Sequence, residues 1–198
     1  KPLDVKNSKL FHSWPQFTKN FIYTITIQYA RLLGICIGCK NFIKNGTIYL
    51  QTTNVKIQNE LIDRYQFQLE NGMLFSKSER LLYYLGKSCE SVPLIVLNSN
   101  IETKFEFLYG YLDAYDCDKN KVTCKTQLIA QGMYYILKSI YSSNLSLEYK
   151  NNVFEISVNS LTKNDVEITE VQDVGDIYVY DIETEHGTFH AGVGELIV

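Results

Sequence analysis

Apolar residues recur every three or four positions in several parts of the chain, as they do on the buried face of an amphipathic helix. This spacing predicts helices over 27–37, 54–65, 79–85, 105–115 and 128–140. Runs of β-forming residues predict strands at 47–53 and 121–123, and alternation over 145–158 predicts a hairpin that turns at 151–152. The order helix–strand–helix thus occurs twice, around 27–85 and 105–158, which indicates an approximate internal duplication.

Local signals mark the ends of two of these helices. Asn54 is expected to cap the second helix, since its side chain can accept hydrogen bonds from the first turn. The segment Ser76–Glu79 has the form of a capping box and predicts the start of the third helix, with Gly86 as its C′ residue. The last helix is expected to bury one line of side chains, namely Leu128, Gly132, Ile136 and Ile140.

Bulk composition favours an intracellular protein with reduced thiols. The chain has 198 residues, 45% of them apolar, enough for one large domain or a medium domain plus a small one. No run of eighteen or more apolar residues occurs, and the residues around Lys1–Asp4 lack the apolar core of a signal peptide. Five cysteines are an odd number, which argues against a secreted disulfide framework.

Charge is unevenly distributed, although the whole chain carries only −3. Residues 161–198 contain one lysine and nine acidic residues, which leaves 18 basic and 13 acidic residues in 1–160. The first part is therefore mildly basic and compatible with phosphate contacts. A solvated mixed surface would explain the same charges.

Two of the predicted helices carry small residues four positions apart. Gly34 and Gly38 form one pair, and Gly110 and Ala114 form the other. Residues four apart lie on one face of a helix, and glycine inside a helix costs about 1 kcal/mol relative to alanine. The pairs therefore predict two helix backbones that cross closely, as small-x-x-x-small pairs allow elsewhere.

The segments that hold these pairs resemble the two LAGLIDADG motifs of homing endonucleases. Residues 32–40 read LLGICIGCK and residues 108–116 read LYGYLDAYD, while 126–130 resembles the helix that follows the second motif. The resemblance implies an α+β fold in which an αββαββα unit is repeated about a pseudo-twofold axis. It also implies a saddle of strands that lies on double-stranded DNA.

The resemblance implies that DNA cleavage is lost or severely weakened. Active members place a carboxylate at the eighth position of each motif, and the pair holds the divalent cations for phosphodiester cleavage. Here these positions are Cys39 and Tyr115. Asp116 comes one residue late, and one residue rotates a side chain by about 100° around a helix. Mg²⁺ is expected only if the endonuclease is active, and DNA binding is compatible with the loss.

Residues 179–198 read VYDIETEHGTFHAGVGELIV and resemble the C-terminal splicing block of inteins, especially those inserted in family-B DNA polymerases. The resemblance implies a β segment of a Hint domain, with Asp181 close to the scissile sites. His190, or else His186, is the expected general acid and base, because an imidazole titrates near neutral pH. Splicing of this kind needs no cofactor.

This sequence departs from the intein pattern at both ends. The His-Asn pair that follows the block in the family is absent after Val198, so asparagine cyclisation is not expected in the chain as it stands. Residues 1–25 do not resemble the N-terminal Cys or Ser nucleophile and its T-x-x-H partner. We therefore expect an intein portion whose N-terminal half belongs to the same precursor or to a separate chain.

The expected organisation is a lead-in over 1–25, a LAGLIDADG-like domain over 26–160 and a splicing segment over 161–198. The implied partners are the N-terminal intein half and a flanking host protein such as a DNA polymerase. One alternative is a free-standing LAGLIDADG DNA endonuclease or RNA maturase with a structural β tail, which a stop codon after Val198 would favour. Another is an interaction domain without chemistry, which would neither bind DNA nor process itself.

Two further sets of residues allow more than one interpretation. Cys36 and Cys39 have C-x-x-C spacing, which suggests zinc or redox chemistry, but their place inside an apolar helix favours buried thiols over a metal site. Several lysines are potential phosphate contacts, and nothing in the sequence ranks them: Lys44, Lys56, Lys119 and Lys121.

Overall fold

The computed structural model describes residues 25–86, 89–115, 121–141 and 144–159. They form a mixed α+β structure, as the sequence predicts. The first half runs α1 (Ile27–Gly38), β1 (Lys40–Lys44), β2 (Thr47–Gln51), α2 (Val55–Tyr65), β3 (Gln68–Glu70), β4 (Met73–Ser76) and α3 (Glu79–Leu85). A short helix α4 (Leu94–Leu97) leads to α5 (Ile101–Tyr115), β5 (Lys121–Cys124), α6 (Gln127–Ile140), β6 (Asn144–Lys150) and β7 (Val153–Asn159).

The order of elements supports the internal duplication. The first half is a complete αββαββα unit. The second half repeats it from α5 to β7, with one strand between α5 and α6 among the described residues. Both sheets are antiparallel, with strand orders β1-β2-β4-β3 and β5-β7-β6. The strands β5, β7 and β6 therefore correspond to β2, β4 and β3.

Three hairpins turn through two residues with positive φ. The pairs are Asn45-Gly46, Asn71-Gly72 and Asn151-Asn152. Positive φ at both positions matches the right-handed twist of the strands, and asparagine and glycine tolerate it best. The hairpin at 151–152 confirms the prediction. The pattern of apolar and polar residues did not reveal the hairpins at 45–46 and 71–72, although the αββαββα unit implied by the resemblance contains them.

All five predicted helices are present, and their ends agree within one residue except at the start of α5. The Asn54 side chain accepts hydrogen bonds from the backbone N–H groups of Lys56 and Ile57, which confirms its role as N-cap. Helix α3 is capped by Ser78, whose Oγ accepts from Leu81 N, so no capping box forms from Ser76. Gly86 ends this helix at a φ of 68°.

Two expectations about the later helices are wrong in detail. Helix α5 begins at Ile101, four residues before the predicted start, because the Asn100 side chain caps Thr103 N. In α6, Gly132 and Ile136 are buried as expected, but Leu128 is 56% exposed. The line of buried side chains is rotated and contains Ile129, Ala130, Met133, Ile136 and Leu137.

A large part of the core lies at the contact between the paired helices α1 and α5. Its largest fully buried side chains include Tyr111, Phe107, Leu33 and Ile35, all on these two helices. No helix in the described ranges is long and apolar enough to cross a membrane.

Candidate functional site

Helices α1 and α5 cross with their backbones in direct contact. A Cβ atom placed on Gly34 would lie 2.0 Å from the carbonyl oxygen of Phe107, and one on Gly110 would lie 2.3 Å from that of Arg31. At Gly38 the distance to the Tyr111 carbonyl oxygen would be 2.6 Å. No side chain fits at these places. The close crossing predicted from the small-residue pairs is therefore confirmed.

The crossing brings the eighth positions of both motifs to one end of the helix pair. Cys39 is the C-cap of α1 and is 1% exposed, while Tyr115 is the last residue of α5. Lys125, just before α6, lies between them. Its ammonium donates to the Cys39 carbonyl oxygen over 3.4 Å and lies 5.1 Å from the centre of the Tyr115 ring.

Cys39 carries a protonated thiol at neutral pH. Burial raises its pKa to about 11, although the Lys125 charge and a hydrogen bond with Thr52 act in the opposite direction. Burial also raises the pKa of Cys36 well above its usual value. Both thiols are free and buried. Within the described residues, no group of three or more His, Cys, Asp or Glu side chains is placed to hold a metal ion.

The side chains of Lys125 and Asn41 cap the C-terminal end of α1 by donating hydrogen bonds to its carbonyl oxygens. The Asn41 side-chain amide donates to the carbonyl oxygens of Cys36 and Cys39, over 2.9 and 3.1 Å. These carbonyls and the helix dipole give this end a partial negative charge, which a lysine ammonium offsets. Burial lowers the pKa of Lys125. The end of the helix pair where the two motifs meet is thus occupied by a cation of the protein itself.

These residues do not fit a divalent metal. Mg²⁺ requires hard oxygen ligands, usually with one or two carboxylates. The described motif ends offer instead a neutral thiol, a tyrosine and an ammonium group, and the ammonium repels a second cation. Asp116 lies outside the described residues, as do the splicing candidates Asp181, His186 and His190 and the lysine Lys119.

An arginine network ties α2 to the crossing helices. Arg31 Nε donates to Glu60 Oε1 over 2.7 Å, and its Nη2 donates to Glu60 Oε2 and to Asp113 Oδ2, each over 2.8 Å. The Asn54 amide donates to the Asp113 carbonyl oxygen over 3.3 Å. The hydrogen bond with Glu60 is the main reason that the pKa of Arg31 is raised. The sequence analysis missed this network, whose members are 29 and 82 residues apart.

Replacing Arg31 with leucine is expected to lower the free energy of unfolding by about 2 kcal/mol. The side chains of Arg31 and Glu60 are 19% and 14% exposed, so the effect falls below that of breaking a fully buried pair. Asp113 is 52% exposed, so Asp113→Asn should cost under about 1 kcal/mol. Urea denaturation of both variants measures this, and equal losses would contradict the ranking.

The outer faces of the two sheets differ in chemistry. On the first sheet, Lys40, Phe42 and Lys44 are exposed on β1 and alternate with Asn41 and Ile43. The second sheet carries paired charges: Lys121 with Glu155 over 2.6 Å, and Lys150 with Glu148. Of the proposed phosphate contacts, Lys44 and Lys56 are thus exposed, whereas Lys121 already pairs with a carboxylate.

Comparison with known proteins finds a similar sequence and several similar structures. A DNA polymerase of Acanthamoeba polyphaga mimivirus is 28% identical over 245 residues, and the match covers 100% of this chain but 14% of that polymerase. The chain thus spans a small part of that relative. No family model matches.

Three of the similar solved structures are of I-DmoI. Its complex with DNA and Mn has a TM-score of 0.47 at 16% identity and covers 67% of this chain and 89% of that one. Its complex with DNA and Ca has a TM-score of 0.45 at 16% identity, covering 67% and 83%. Mesophilic variants of the homing endonuclease I-DmoI have a TM-score of 0.43 at 13% identity, covering 67% and 90%.

Proposed function

We propose that residues 26–160 are a LAGLIDADG-type domain that binds DNA without hydrolysing it, within an intein whose C-terminal segment performs protein splicing. The observation that carries the first part is the end of the glycine-lined crossing. There, Lys125 lies against Cys39 and Tyr115, where active members of the resembled family have two carboxylates. The crossing of α1 and α5 brings the eighth motif positions to one end of the helix pair, but these positions hold a thiol and a phenol instead of metal-binding carboxylates.

The purified full chain is expected to bind duplex DNA and to leave it intact. Supercoiled plasmid and a mixture of duplex fragments, incubated with Mg²⁺ or Mn²⁺, should give no nicked or linear product beyond that in EDTA. The chain should retain the same duplexes in a mobility-shift assay, and its affinity should fall as salt rises. Retention should persist in EDTA, because phosphate contacts need no metal. Nicking that depends on the metal would overturn the loss of cleavage, and absence of retention would overturn the binding.

A double variant tests whether the residues at the two motif ends explain the expected loss of DNA cleavage. Cys39→Asp combined with Tyr115→Asp supplies the carboxylates of the resembled pattern beside Lys125. This double variant should gain a thermal shift with Ca²⁺, whereas the original chain should show none. Each single variant is a control, because one carboxylate beside Lys125 forms an ion pair with it and does not bind a divalent cation. The single variants should therefore fold and show no thermal shift with Ca²⁺. A Ca²⁺-dependent shift of the original chain would contradict the argument.

The splicing proposal is supported by residues 179–198 and by the polymerase relative. The match covers the whole of this chain but a small fraction of that polymerase, as an insertion within a polymerase host would. In this proposal, Asp181 and His190 act on the scissile bonds, with His186 as the alternative imidazole. Its test is the release of a tag from a chain with restored ends.

A further inference from the structure

The outer face of the four-stranded sheet carries a row of aromatic rings across three neighbouring strands. The strand register pairs Phe42 on β1 with Tyr49 on β2, and Tyr49 with Phe75 on β4. The Phe42 and Tyr49 rings are nearly parallel, 11° apart with centroids at 4.8 Å. The Tyr49 and Phe75 centroids are 6.1 Å apart. Phe42 and Tyr49 therefore stack, and Phe75, whose ring is tilted by 32° to that of Tyr49, continues the row across the strands.

This stack ends at an open sheet edge. β1 is the outermost strand of its sheet in the described residues, so no further strand covers the side of Phe42 that faces away from Tyr49. Phe42 is 46% exposed. Lys40 and Lys44 lie two residues before and after it on the same face, about 7 Å away along the strand. An open aromatic face is therefore flanked by two exposed cations.

The opposite half of the molecule does not repeat this surface. In the second sheet, Glu148 on β6 stands directly opposite Glu155 on β7. The nearby Lys150 and Lys121 are already paired with these carboxylates. Two ammonium groups thus balance the two carboxylates, so this part of the second sheet offers a phosphate no net attraction. Attraction for a polyanion is concentrated on the first sheet, at the β1 edge.

We infer that the β1 edge of the first sheet binds a single-stranded nucleic acid, with an unpaired base stacked on Phe42 and phosphates held by Lys40 and Lys44. A base in a duplex is already stacked on both faces, and only an unpaired one can extend the row of rings. Aromatic stacking combined with neighbouring cations is how proteins bind single strands without reading their sequence. The inference goes beyond the proposed function, since it requires neither the motif ends nor splicing.

Fluorescence anisotropy of the full chain with labelled oligothymidylate of about 15 nucleotides tests this inference. Phe42→Leu keeps an apolar side chain in the sheet but removes the aromatic face, and should weaken binding about tenfold. Phe42→Trp keeps a stacking ring and should retain the affinity. Lys40→Ala should reduce the slope of log affinity against log salt by about 0.7, as for one lost phosphate contact on a single strand.

Two control variants come from the second sheet. Tyr149→Ala removes a tyrosine that is 61% exposed, and Lys150→Ala removes a lysine that is paired with a carboxylate. Neither should change the affinity or the salt slope. An oligouridylate of equal length distinguishes RNA from DNA, and preference for either single strand supports the inference. It is overturned if a duplex of equal length binds as tightly as the single strands, or if Phe42→Leu binds like the original chain.

The proposed function and this inference fail separately. If the chain retains duplex DNA and Phe42→Leu binds single strands like the original chain, the proposed function stands and the stacking site is excluded. Single-strand binding that depends on Phe42, without duplex retention, would do the reverse.

Discussion

Replacing Gly34 with alanine is expected to lower the free energy of unfolding by about 3 kcal/mol, although the same exchange at an unobstructed helical site stabilises by about 1 kcal/mol. The added Cβ would lie 2.0 Å from the Phe107 carbonyl oxygen and 2.9 Å from the Tyr111 nitrogen. Both are backbone atoms of α5, so no rotamer change relieves the clash. The two helices must move apart, and the core between them loosens. Urea denaturation followed by circular dichroism measures the loss.

Other glycines of the chain supply the comparison. Gly110→Ala should cost about as much as Gly34→Ala, because its Cβ would lie 2.3 Å from the Arg31 carbonyl oxygen. At Gly132 the nearest atoms belong to the Val92 side chain, at 2.5 and 2.6 Å. The Val92 Cβ moves only with its own backbone, but Val92 lies outside the helices and strands, so a small local shift relieves the contact and Gly132→Ala should cost about 1 kcal/mol. The close backbone contact at the crossing would be contradicted if Gly34→Ala kept the original free energy of unfolding, or if Gly132→Ala lowered it by the same amount.

The parts of the fold that the sequence predicts depend on local signals. Asn54 caps α2 through hydrogen bonds to the residues that follow it, and Asn151-Asn152 takes positive φ in its own turn. The glycine pairs predict the helix crossing because only close packing explains two small residues on one apolar face. Each of these features can be recognised within a few residues of the sequence.

The two missed hairpins also carry a local signal, the Asn-Gly turns at 45–46 and 71–72. Their strands are only three to five residues long, and β1 and β3 are edge strands with little burial. Such strands show no clear alternation of apolar and polar residues. The two-residue turn was the stronger indication, and periodicity alone does not reveal it.

The missed site residues depend on contacts between distant parts of the chain. Lys125 precedes a helix in the sequence, but it acts as a cation at the crossing because it reaches Cys39, 86 residues away. The difference between the sheets has the same origin. Strand register places Phe42 beside Tyr49, and Glu148 beside Glu155. No spacing along the chain encodes these pairings, so sequence analysis identified the motif positions but not the residues that surround them.

The splicing proposal leads to an all-or-none result when the ends are restored. The chain is extended after Val198 by His-Asn-Thr and a small tag, and is expressed with the sequence encoded upstream of Lys1. The appended asparagine should attack its own carbonyl carbon, form a succinimide and free the tag. Intact-mass measurements over hours follow the release. Alanine in place of that asparagine should abolish it, because the side-chain amide that attacks is then missing.

Variants of the histidines then separate their roles. His190→Ala should slow release by about 100-fold if this imidazole transfers the proton, whereas His186→Ala should leave the rate nearly unchanged. The reverse ranking would assign the role to His186. A soluble, folded chain whose mass stays constant would end the splicing proposal. It would leave the helix crossing intact, because Gly34, Gly110 and Lys125 make their contacts with residues of 25–115 and not with the splicing segment. The chain would then be a nucleic-acid-binding protein whose C-terminal segment performs no chemistry.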